Sequence, residues 1–168
     1  MILIPKYKDA IQIHGALSFV LTDTTSGNIR QELYVPNLVV TAGKSFIASR
    51  MVGESSAIMS HMAIGTGLTG ELATNTDLAA ELNPATYTNY SRASLSVKSA
   101  TNNVVTYSAN FPANNPSAPS ATGAILREAG IFNSPNLGQG TMLCRTTFPT
   151  VTKLPADALT ITWTITIQ

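Results

Sequence analysis

The chain has 168 residues, of which 10 are basic and 9 acidic, and its formal net charge is +1. This length predicts a single domain, residues 1–168, with a sizeable core. The balanced charge argues against a nucleic-acid partner, because such proteins usually carry a basic excess. The single cysteine, Cys144, excludes an internal disulfide framework and a cysteine-rich zinc site.

The sequence also gives expectations about location and surface. No apolar run approaches the roughly 18 residues of a membrane-spanning helix, so no membrane partner is expected. The apolar start of the chain (MILIPK) is too short for a secretory signal, and we expect synthesis in a cytoplasm. Threonine occurs 22 times, and its hydroxyl covers a surface without adding charge. A near-neutral surface favours association with other copies or with partner proteins.

Short segments in which apolar and polar residues alternate predict a mainly β chain. In chain order the predicted elements are strands 15–22 and 29–35, a helix 42–52, a strand 61–65, a short helix 76–82, and strands 87–97, 104–111, 124–132, 141–148 and 159–168. Turn residues at 23–27, 101–103 and 153–158 separate three pairs of neighbouring strands. Each of these pairs is predicted to form an antiparallel hairpin.

The main predicted helix has start and stop signals on both sides. Thr41 can cap its N-terminus, and Gly53 can end it. Its apolar stripe consists of Phe46, Ile47, Ala48 and Met51. We expect this helix to plug an open end of the β structure or to cross between sheets.

The C-terminal strand shows the strictest alternation in the chain. The residues expected to face the core are Leu159, Ile161, Trp163, Ile165 and Ile167, and the threonines between them should face outward. The pattern therefore predicts a central strand with Trp163 deep in the core.

Seven or eight short strands with turns between them predict an antiparallel β-sandwich or a jelly-roll-like barrel with one short helix. Two segments fall outside this pattern. Residues 1–10 form an N-terminal arm, and residues 112–122 form an exposed proline-rich loop that contains Pro112, Pro116 and Pro119.

Residues 65–70 (GTGLTG) match the glycine pattern of dinucleotide-binding loops. That function needs a helix that begins in the glycines, within a βαβ unit. The residues that follow do not predict such a helix, and the neighbouring strands form an antiparallel series. The motif is therefore interpreted as a glycine-rich turn that leaves a strand.

The remaining chemistry-bearing residues favour structural roles. His14 and His61 are not in a metal-ligand spacing, and no serine nucleophile motif is present. Cys144 is expected to be a buried structural thiol. Glu128 lies inside an apolar strand, and an ion pair at a sheet rim is the favoured role, with Arg92 and Arg145 as candidate partners. We expect no catalytic residue, no metal and no cofactor.

Several segments, taken in order, are similar to those of one protein family. They are residues 36–44 (PNLVVTAGK), 62–67 (MAIGTG), 77–82, 127–133 (REAGIFN), 140–149 (GTMLCRTTFP) and the final threonine- and isoleucine-rich strand. Together they resemble the small virion structural proteins of tailed bacteriophages, over roughly residues 37–168. The hairpin at 15–35 resembles the leading hairpin of such proteins.

The resemblance implies a non-enzymatic assembly protein that is made in the host cytoplasm and built into the virion. The favoured function is capsid decoration (cement): the protein would bind the major capsid protein on the outer lattice, as a homo-oligomer and preferably a trimer at threefold positions. The alternative is a tail, baseplate or fibre-adaptor protein of the virion. A third hypothesis, from another class, is a β-sandwich carbohydrate-binding module or hydrolase that exposes Tyr87 and Tyr90 to sugars.

Two segments are predicted to carry the partner contacts. Apolar residues at a free terminus form a sticky patch unless they pack on something, and the N-terminal arm contains four of them: Ile2, Leu3, Ile4 and Tyr7. The second segment is the proline-rich loop with Pro112, Pro116 and Pro119, because prolines reduce the entropy lost on docking. The open alternative for the arm is pairing with a sheet edge of its own subunit.

Overall fold

The computed structural model describes residues 11–54, 57–119 and 122–168. In this part of the chain there are eight strands and one α-helix. They are β1 (Ile13–Asp23), β2 (Ile29–Val39), α1 (Thr41–Met51), β3 (His61–Gly65), β4 (Ala93–Thr101), β5 (Val104–Phe111), β6 (Ala124–Phe132), β7 (Met142–Lys153) and β8 (Asp157–Ile167). The prediction of a mainly β, antiparallel protein with one short helix is confirmed.

The strands close into a barrel in the order β1-β2-β7-β6-β3-β4-β5-β8, and every neighbouring pair is antiparallel. Two joins are narrow: β2 meets β7 only at Leu38 and Val39, and β3 meets β4 only at His61 and Met62. The sheet therefore closes as a barrel and is not divided into the two separate sheets of a sandwich. Five strands (β2, β1, β8, β5, β4) lie on one side of these joins and three (β7, β6, β3) on the other.

β8 lies at the centre of the five-stranded part, between β1 and β5. Leu159, Ile161 and Trp163 are buried, whereas the threonines between them are partly exposed. Trp163 is fully buried, as predicted. Strict alternation indicated the inward face correctly because one face of this strand packs in the barrel and the other lies on its outside.

The predicted C-terminal hairpin is wrong. β7 pairs with β6 and β2, and β8 pairs with β1 and β5, so the two last strands are joined by a turn but not by a ladder of hydrogen bonds. Alternation identifies a strand and its inward face, but it does not identify the neighbouring strand. The hairpins β1–β2 and β4–β5 are confirmed.

α1 begins one residue earlier than predicted, and the residue before it, Val40, is the N-cap with no side-chain hydrogen bond. Thr41 is therefore inside the helix and is not its cap. Gly43 is the buried residue of the helix, whereas Met51, a member of the predicted apolar stripe, is 74% exposed. A Cβ atom at Gly43 would lie 2.0 Å from the backbone oxygen of Leu143, so α1 packs directly against the β7 backbone.

Residues 66–92 leave the barrel and cover the outside of β6 and β7 without forming a helix or a long strand. The predicted helix at 76–82 is wrong, because the amide groups of Ala79 and Ala80 donate hydrogen bonds to the Glu128 carboxylate. The strand predicted to begin at residue 87 begins only at Ala93. We call this segment the covering segment.

The barrel has two different ends. α1 lies across one end, beside the first residues of β1 and β5 and the last residues of β8; we call it the α1 end. The turns at residues 24–28 and 154–156 meet at the other, where Thr24 donates to the carbonyl of Ala156; we call it the turn end. Because α1 covers one opening, the prediction of a helix that plugs an end is confirmed.

Candidate interaction surface

The α1 end carries apolar grooves on several sides of the helix. One cavity of about 290 Å³ lies between α1 and the strand ends, and it is lined by Phe46, Ile47, Met51, Val105, Tyr107 and Ile167, among others. A second groove of about 510 Å³ lies between α1 and the start of β1, beside Ile11 and Ile13. A third, of about 500 Å³, lies between Phe46 and Ile58.

Three exposed apolar side chains line these grooves, and a fourth, Val52, directly follows Met51 at the end of α1. Ile11 is 70% exposed, Met51 74%, Val52 75% and Ile58 52%. Scattered exposed apolar residues are ordinary, but a cluster beside apolar grooves marks an interaction site. The sequence contained a signal for this surface: the predicted apolar stripe of α1 includes Met51. The stripe did not predict an exposed surface, because periodicity shows that residues share a face but not what the face contacts.

A buried ion pair connects the covering segment to the barrel. Arg145 on β7 and Glu128 on β6 are both fully buried, and their closest nitrogen and oxygen atoms are 2.8 Å apart. The Arg145 guanidinium also donates to the carbonyls of Thr69 and Gly70 and to the side chain of Asn75. The predicted partnership of Glu128 with Arg145 is confirmed, but the pair lies in the interior and not at a sheet rim.

The glycine motif surrounds this same carboxylate. Gly65 ends β3 and no helix begins in residues 66–70. The Gly67 amide donates to Glu128 Oε1 at 3.0 Å, and a Cβ at Gly67 would lie 2.3 Å from that oxygen. The glycines are needed for the close approach of the backbone to an anion, and the anion is a side chain of this protein. The interpretation of the motif as a strand-exit turn is therefore confirmed.

The Glu128 carboxylate has little capacity left for chemistry. Oε1 accepts hydrogen bonds from Gly67 and Ala80, and Oε2 accepts from Ala79 and Arg145. A carboxylate offers about four lone-pair positions, and these four donors occupy them. Its geometry fits a structural role in holding the covering segment against β6 and β7.

A second cluster fixes the end of the covering segment. Arg92 is buried and binds the carboxylate of Glu81 through two nitrogen atoms, at 2.8 and 2.7 Å. Its guanidinium lies over the ring of Phe132, 3.7 Å from the ring centre. The Tyr90 hydroxyl donates to Glu81 at 2.9 Å, and burial together with this carboxylate raises the pKa of Tyr90 well above its usual range. Arg92, predicted as a candidate partner of Glu128, pairs with Glu81 instead.

The aromatic pair proposed for sugar binding does not form an exposed platform. Tyr90 is 4% exposed and its hydroxyl is occupied by Glu81, whereas Tyr87 is half-buried. Tyr87 and Tyr90 lie three residues apart, but they are part of a turn that packs on the barrel. This part of the carbohydrate hypothesis is wrong.

The histidines and the cysteine occupy separate places. His14 is exposed, His61 lies between the hydroxyls of Ser60 and Ser94, and Cys144 is fully buried on β7. Burial raises the pKa of the Cys144 thiol well above its usual range, which fits the predicted structural thiol. Among residues 11–54, 57–119 and 122–168, no group of three His, Cys, Asp or Glu side chains could hold a metal ion.

Of the two predicted contact segments, the structure describes only the proline-rich loop, apart from residues 120–121. Ile2, Leu3, Ile4 and Tyr7 lie outside the described residues, but residue 11, to which they lead, is at the α1 end. The proline-rich loop is at the turn end, where the Lys153 ammonium donates to the carbonyl of Pro112 at 2.9 Å. The prolines of this loop differ: Pro112 and Pro119 are exposed, but Pro116 is buried, so Pro116 is wrong as an exposed contact.

Comparisons with known proteins do not identify a family. No protein-family model matches the sequence, and a search of curated proteins gave no match. Within the described residues, no helix is both long and apolar enough to cross a membrane.

Proposed function

We propose that this protein is a non-enzymatic structural protein of a tailed bacteriophage particle, and that it decorates the capsid. The observation that carries the proposal is the α1 end, where exposed apolar side chains surround apolar grooves at one end of a closed barrel. Such a surface fits protein–protein contact. The resemblance of the sequence segments to virion structural proteins gives the kind of assembly.

The internal chemistry supports an assembly role over catalysis. The buried carboxylates Glu128 and Glu81 are occupied by backbone amides and arginines, and they hold the covering segment in place. An acid or base catalyst needs a group that can reach a substrate. These carboxylates are enclosed in the protein and have their hydrogen-bond partners within it.

Capsid decoration is preferred to a tail position because the described chain forms one barrel and lacks the elongated repeats of a fibre shaft. In this function the α1 end contacts the major capsid protein, and copies associate as a trimer at threefold positions of the lattice. Each contact is modest, but symmetry repeats it, and the contacts within one trimer add avidity.

The test is to locate and count the protein in purified particles of the phage that encodes it. Labelling with an antibody in electron micrographs gives the position, and quantitative mass spectrometry gives the copy number relative to the major capsid protein. Capsid decoration predicts label on the shell and copies on the order of hundreds per particle, because the protein repeats with the lattice. About six or twelve copies at the tail would replace capsid decoration by the tail alternative, and absence from particles would overturn the proposal.

A further inference from the structure

We propose that the open edge of β2, residues 31–35, pairs with the same edge of a second copy of this chain, antiparallel and about a two-fold axis at Leu33. The inference goes beyond the proposed function, because it concerns a contact between copies and is tested on the purified chain. It is carried by unpaired backbone groups along β2, by the features that bound this stretch and by the register that two copies can adopt.

β2 has a continuous hydrogen-bonding partner on only one side. Its register with β1 is regular over residues 31–37, so successive residues direct their N–H and C=O groups alternately toward β1 and away from it. The carbonyl of Pro36 accepts a hydrogen bond from the Thr146 hydroxyl of β7 at 2.7 Å. The amide of Val40 donates to the Leu143 carbonyl of β7 at 3.2 Å. The even-numbered residues therefore direct their backbone groups away from β1.

Two even-numbered residues have no bonding partner on that side among the described residues. β7 pairs with β2 only at Leu38 and Val39, and no described donor or acceptor bonds to the edge-facing backbone groups of Glu32 and Tyr34. Glu32 is exposed, and Tyr34 is 74% exposed. Since each residue offers one N–H and one C=O, this part of β2 is a template for another strand.

Two other strand edges carry protections that residues 31–35 lack. On β7, the amide and the hydroxyl of Thr147 both donate to the Glu71 carboxylate. β4, which meets β3 only at its first two residues, has a register shift between Leu95 and Val97, and Lys98 follows directly. Bulges, lysines and covering groups hinder the pairing of an open edge with another chain. Residues 31–35 contain no bulge, lysine or proline.

The open stretch has a defined limit on each side. Before it, the register with β1 shifts between Leu21 and Thr22, which leaves Arg30 without a partner residue on β1. The Arg30 guanidinium is bound by the buried Asp157 carboxylate. After the stretch, Pro36 has no amide hydrogen to donate. A second strand can therefore pair only along residues 31–35, and few registers are available to it.

Most two-fold registers are unfavourable. An edge-facing residue can bond only to an edge-facing residue of the other copy, so the two-fold axis must pass through a residue of β2. An axis at Glu32 places two like charges directly opposite each other, which is destabilising. An axis at residue 34 or 35 brings Pro36 into the pairing and loses a hydrogen bond. An axis at Gln31 places Glu32 opposite Arg30, which lies at the register shift and is already bound.

An axis at Leu33 uses every unpaired group of both copies. Glu32 of each copy lies opposite Tyr34 of the other, and each of the two pairs forms two hydrogen bonds. No like charges are opposed. A two-fold contact is different from a contact around a threefold axis, and on a decorated shell it would join copies that belong to neighbouring trimers.

Disulfide trapping on the full-length chain tests the contact and its register. Residues that are opposite but not hydrogen-bonded to each other in an antiparallel pair have Cα atoms about 4.5 Å apart, within the range of about 4.4–6.8 Å that a disulfide spans. In a Cys144→Ala background, Leu33→Cys should therefore link two copies on mild oxidation. Val35→Cys and Gln31→Cys are matched controls on the same face of β2. Neither should link to itself, but a mixture of the two should, because Val35 lies opposite Gln31 of the other copy.

Non-reducing electrophoresis and mass spectrometry of the linked peptides identify the products. Dimers from Leu33→Cys and from the mixture, without dimers from either control alone, support the proposal. Equal linking of all three variants would show random collision, and self-linking of one control would show another register. Absence of dimers would show that a second copy does not occupy this edge. Each of these three results would overturn the proposal.

A second measurement leaves Cys144 and Leu33 in place. Tyr34→Pro removes one edge-facing N–H from each copy, and proline is tolerated on an edge strand. Because half of the hydrogen bonds between the copies are lost, sedimentation of the purified protein should show a Kd of association that is raised at least about tenfold. Tyr34→Ser keeps the amide and should raise the Kd less; circular dichroism checks that both variants fold. A native protein that stays monomeric, or equal effects of the two variants, would contradict pairing through the backbone of this edge.

Discussion

The buried charges of this protein each have a defined set of partners. Arg145 directs its nitrogen atoms to Glu128, Asn75 and two backbone carbonyls, and Glu128 accepts from three backbone amides as well. The desolvation cost of a buried ion pair is offset only when its remaining donors and acceptors also form hydrogen bonds. The pair therefore joins β6 and β7 to the covering segment, and each partner depends on the other.

Glu128→Gln is expected to lower the free energy of unfolding by about 3–5 kcal/mol, because it leaves the Arg145 guanidinium buried without a counter-charge. Urea unfolding followed by circular dichroism measures the change. Glu32→Gln, at an exposed position on β2, is the control and should change stability by less than about 0.5 kcal/mol. The double variant Glu128→Gln with Arg145→Met should cost less than the sum of the single variants; simple additivity would contradict the coupling.

Lys153 predicts a pH dependence of stability. Burial lowers the pKa of its ammonium to about 8, although the nearby Asp157 opposes the shift. Between pH 8 and about 10.5 the unfolded chain binds a proton that the folded protein has lost, so this residue makes stability rise with pH, by at most about 1.4 kcal/mol per pH unit. We expect the difference in unfolding free energy between the native protein and Lys153→Met to rise from pH 7.5 to 9.5. A constant difference would show that the Lys153 pKa is not lowered. Burial raises the pKa of the Cys144 thiol, which makes stability fall with pH, but this effect is the same in both proteins and cancels in the difference.

At the scale of the elements, α1 is held on the barrel by close backbone contact. The buried residue of the helix is Gly43, which leaves no room for a side chain before the Leu143 carbonyl of β7. The larger apolar residues Phe46 and Ile47 are only partly covered. The helix is therefore a lid that rests on β7 along one line and leaves grooves along its other sides.

Gly43→Ala tests this contact because two effects have opposite signs. Alanine has the higher helix propensity, by about 1 kcal/mol, but its Cβ would lie 2.0 Å from the Leu143 oxygen. Overpacking of this kind costs about 1–3 kcal/mol, and the backbone oxygen cannot rotate away, so we expect a net loss of stability and a displaced helix. Ser45→Ala, on the exposed side of α1, is the control. A more stable Gly43→Ala protein in thermal unfolding would refute the close contact.

Trp163→Ala tests the central position of β8. Trp163 is fully buried in the core of the barrel, and truncation of a buried tryptophan costs about 3–5 kcal/mol. Thr166→Ala changes the outward face of the same strand and should cost less than about 0.5 kcal/mol. Both are measured by chemical denaturation, with tyrosine fluorescence or circular dichroism as the signal because Trp163 is the only tryptophan. Equal costs for the two variants would show that the inward face is assigned incorrectly.

The sequence predicted the strands well and their neighbours less well. β3, β5 and β6 have the predicted bounds, because local alternation follows from which side of a strand is buried. The pairing of β7 and β8 with other strands depends on how the whole barrel closes, which no local pattern encodes. The helix predicted at 76–82 failed for a similar reason: Glu128, distant in sequence, accepts hydrogen bonds from the backbone amides of Ala79 and Ala80.

The candidate surface was predictable only in part. The sequence pointed to apolar residues before β1, and the structure shows that β1 begins at the α1 end. The exposure of Met51 and Val52 could not be predicted, because a stripe of apolar residues on a helix normally packs in a core. The proline-rich loop was predicted as a loop, but its position at the turn end follows from the barrel topology.

At the scale of the whole molecule, the two ends of the barrel differ. One end has apolar grooves, and the other has tight turns fixed by hydrogen bonds. The turns at 24–28 and 154–156 are joined through Thr24 and Ala156, and Asn114 donates to the carbonyl of Pro155. A protein that decorates a shell has one end toward the shell and the other toward solvent. If the protein decorates a shell, as we propose, the apolar grooves beside α1 predict that the α1 end faces the shell.

Two exposed isoleucines at opposite ends provide a matched test of this orientation. Ile58, at the α1 end, is 52% exposed, and Ile29, where β2 begins after the turn, is 58% exposed. Both Ile58→Asp and Ile29→Asp should fold, because each side chain is largely in solvent. In a desolvated interface an unpaired carboxylate costs several kcal/mol, so Ile58→Asp should raise the Kd for particles at least about tenfold, corresponding to about 1.4 kcal/mol. Ile29→Asp should bind as the native protein does. Binding is measured by adding each purified protein to particles that lack it. Loss of binding for Ile29→Asp alone would show that the turn end faces the shell, because a carboxylate disrupts only the end that becomes desolvated.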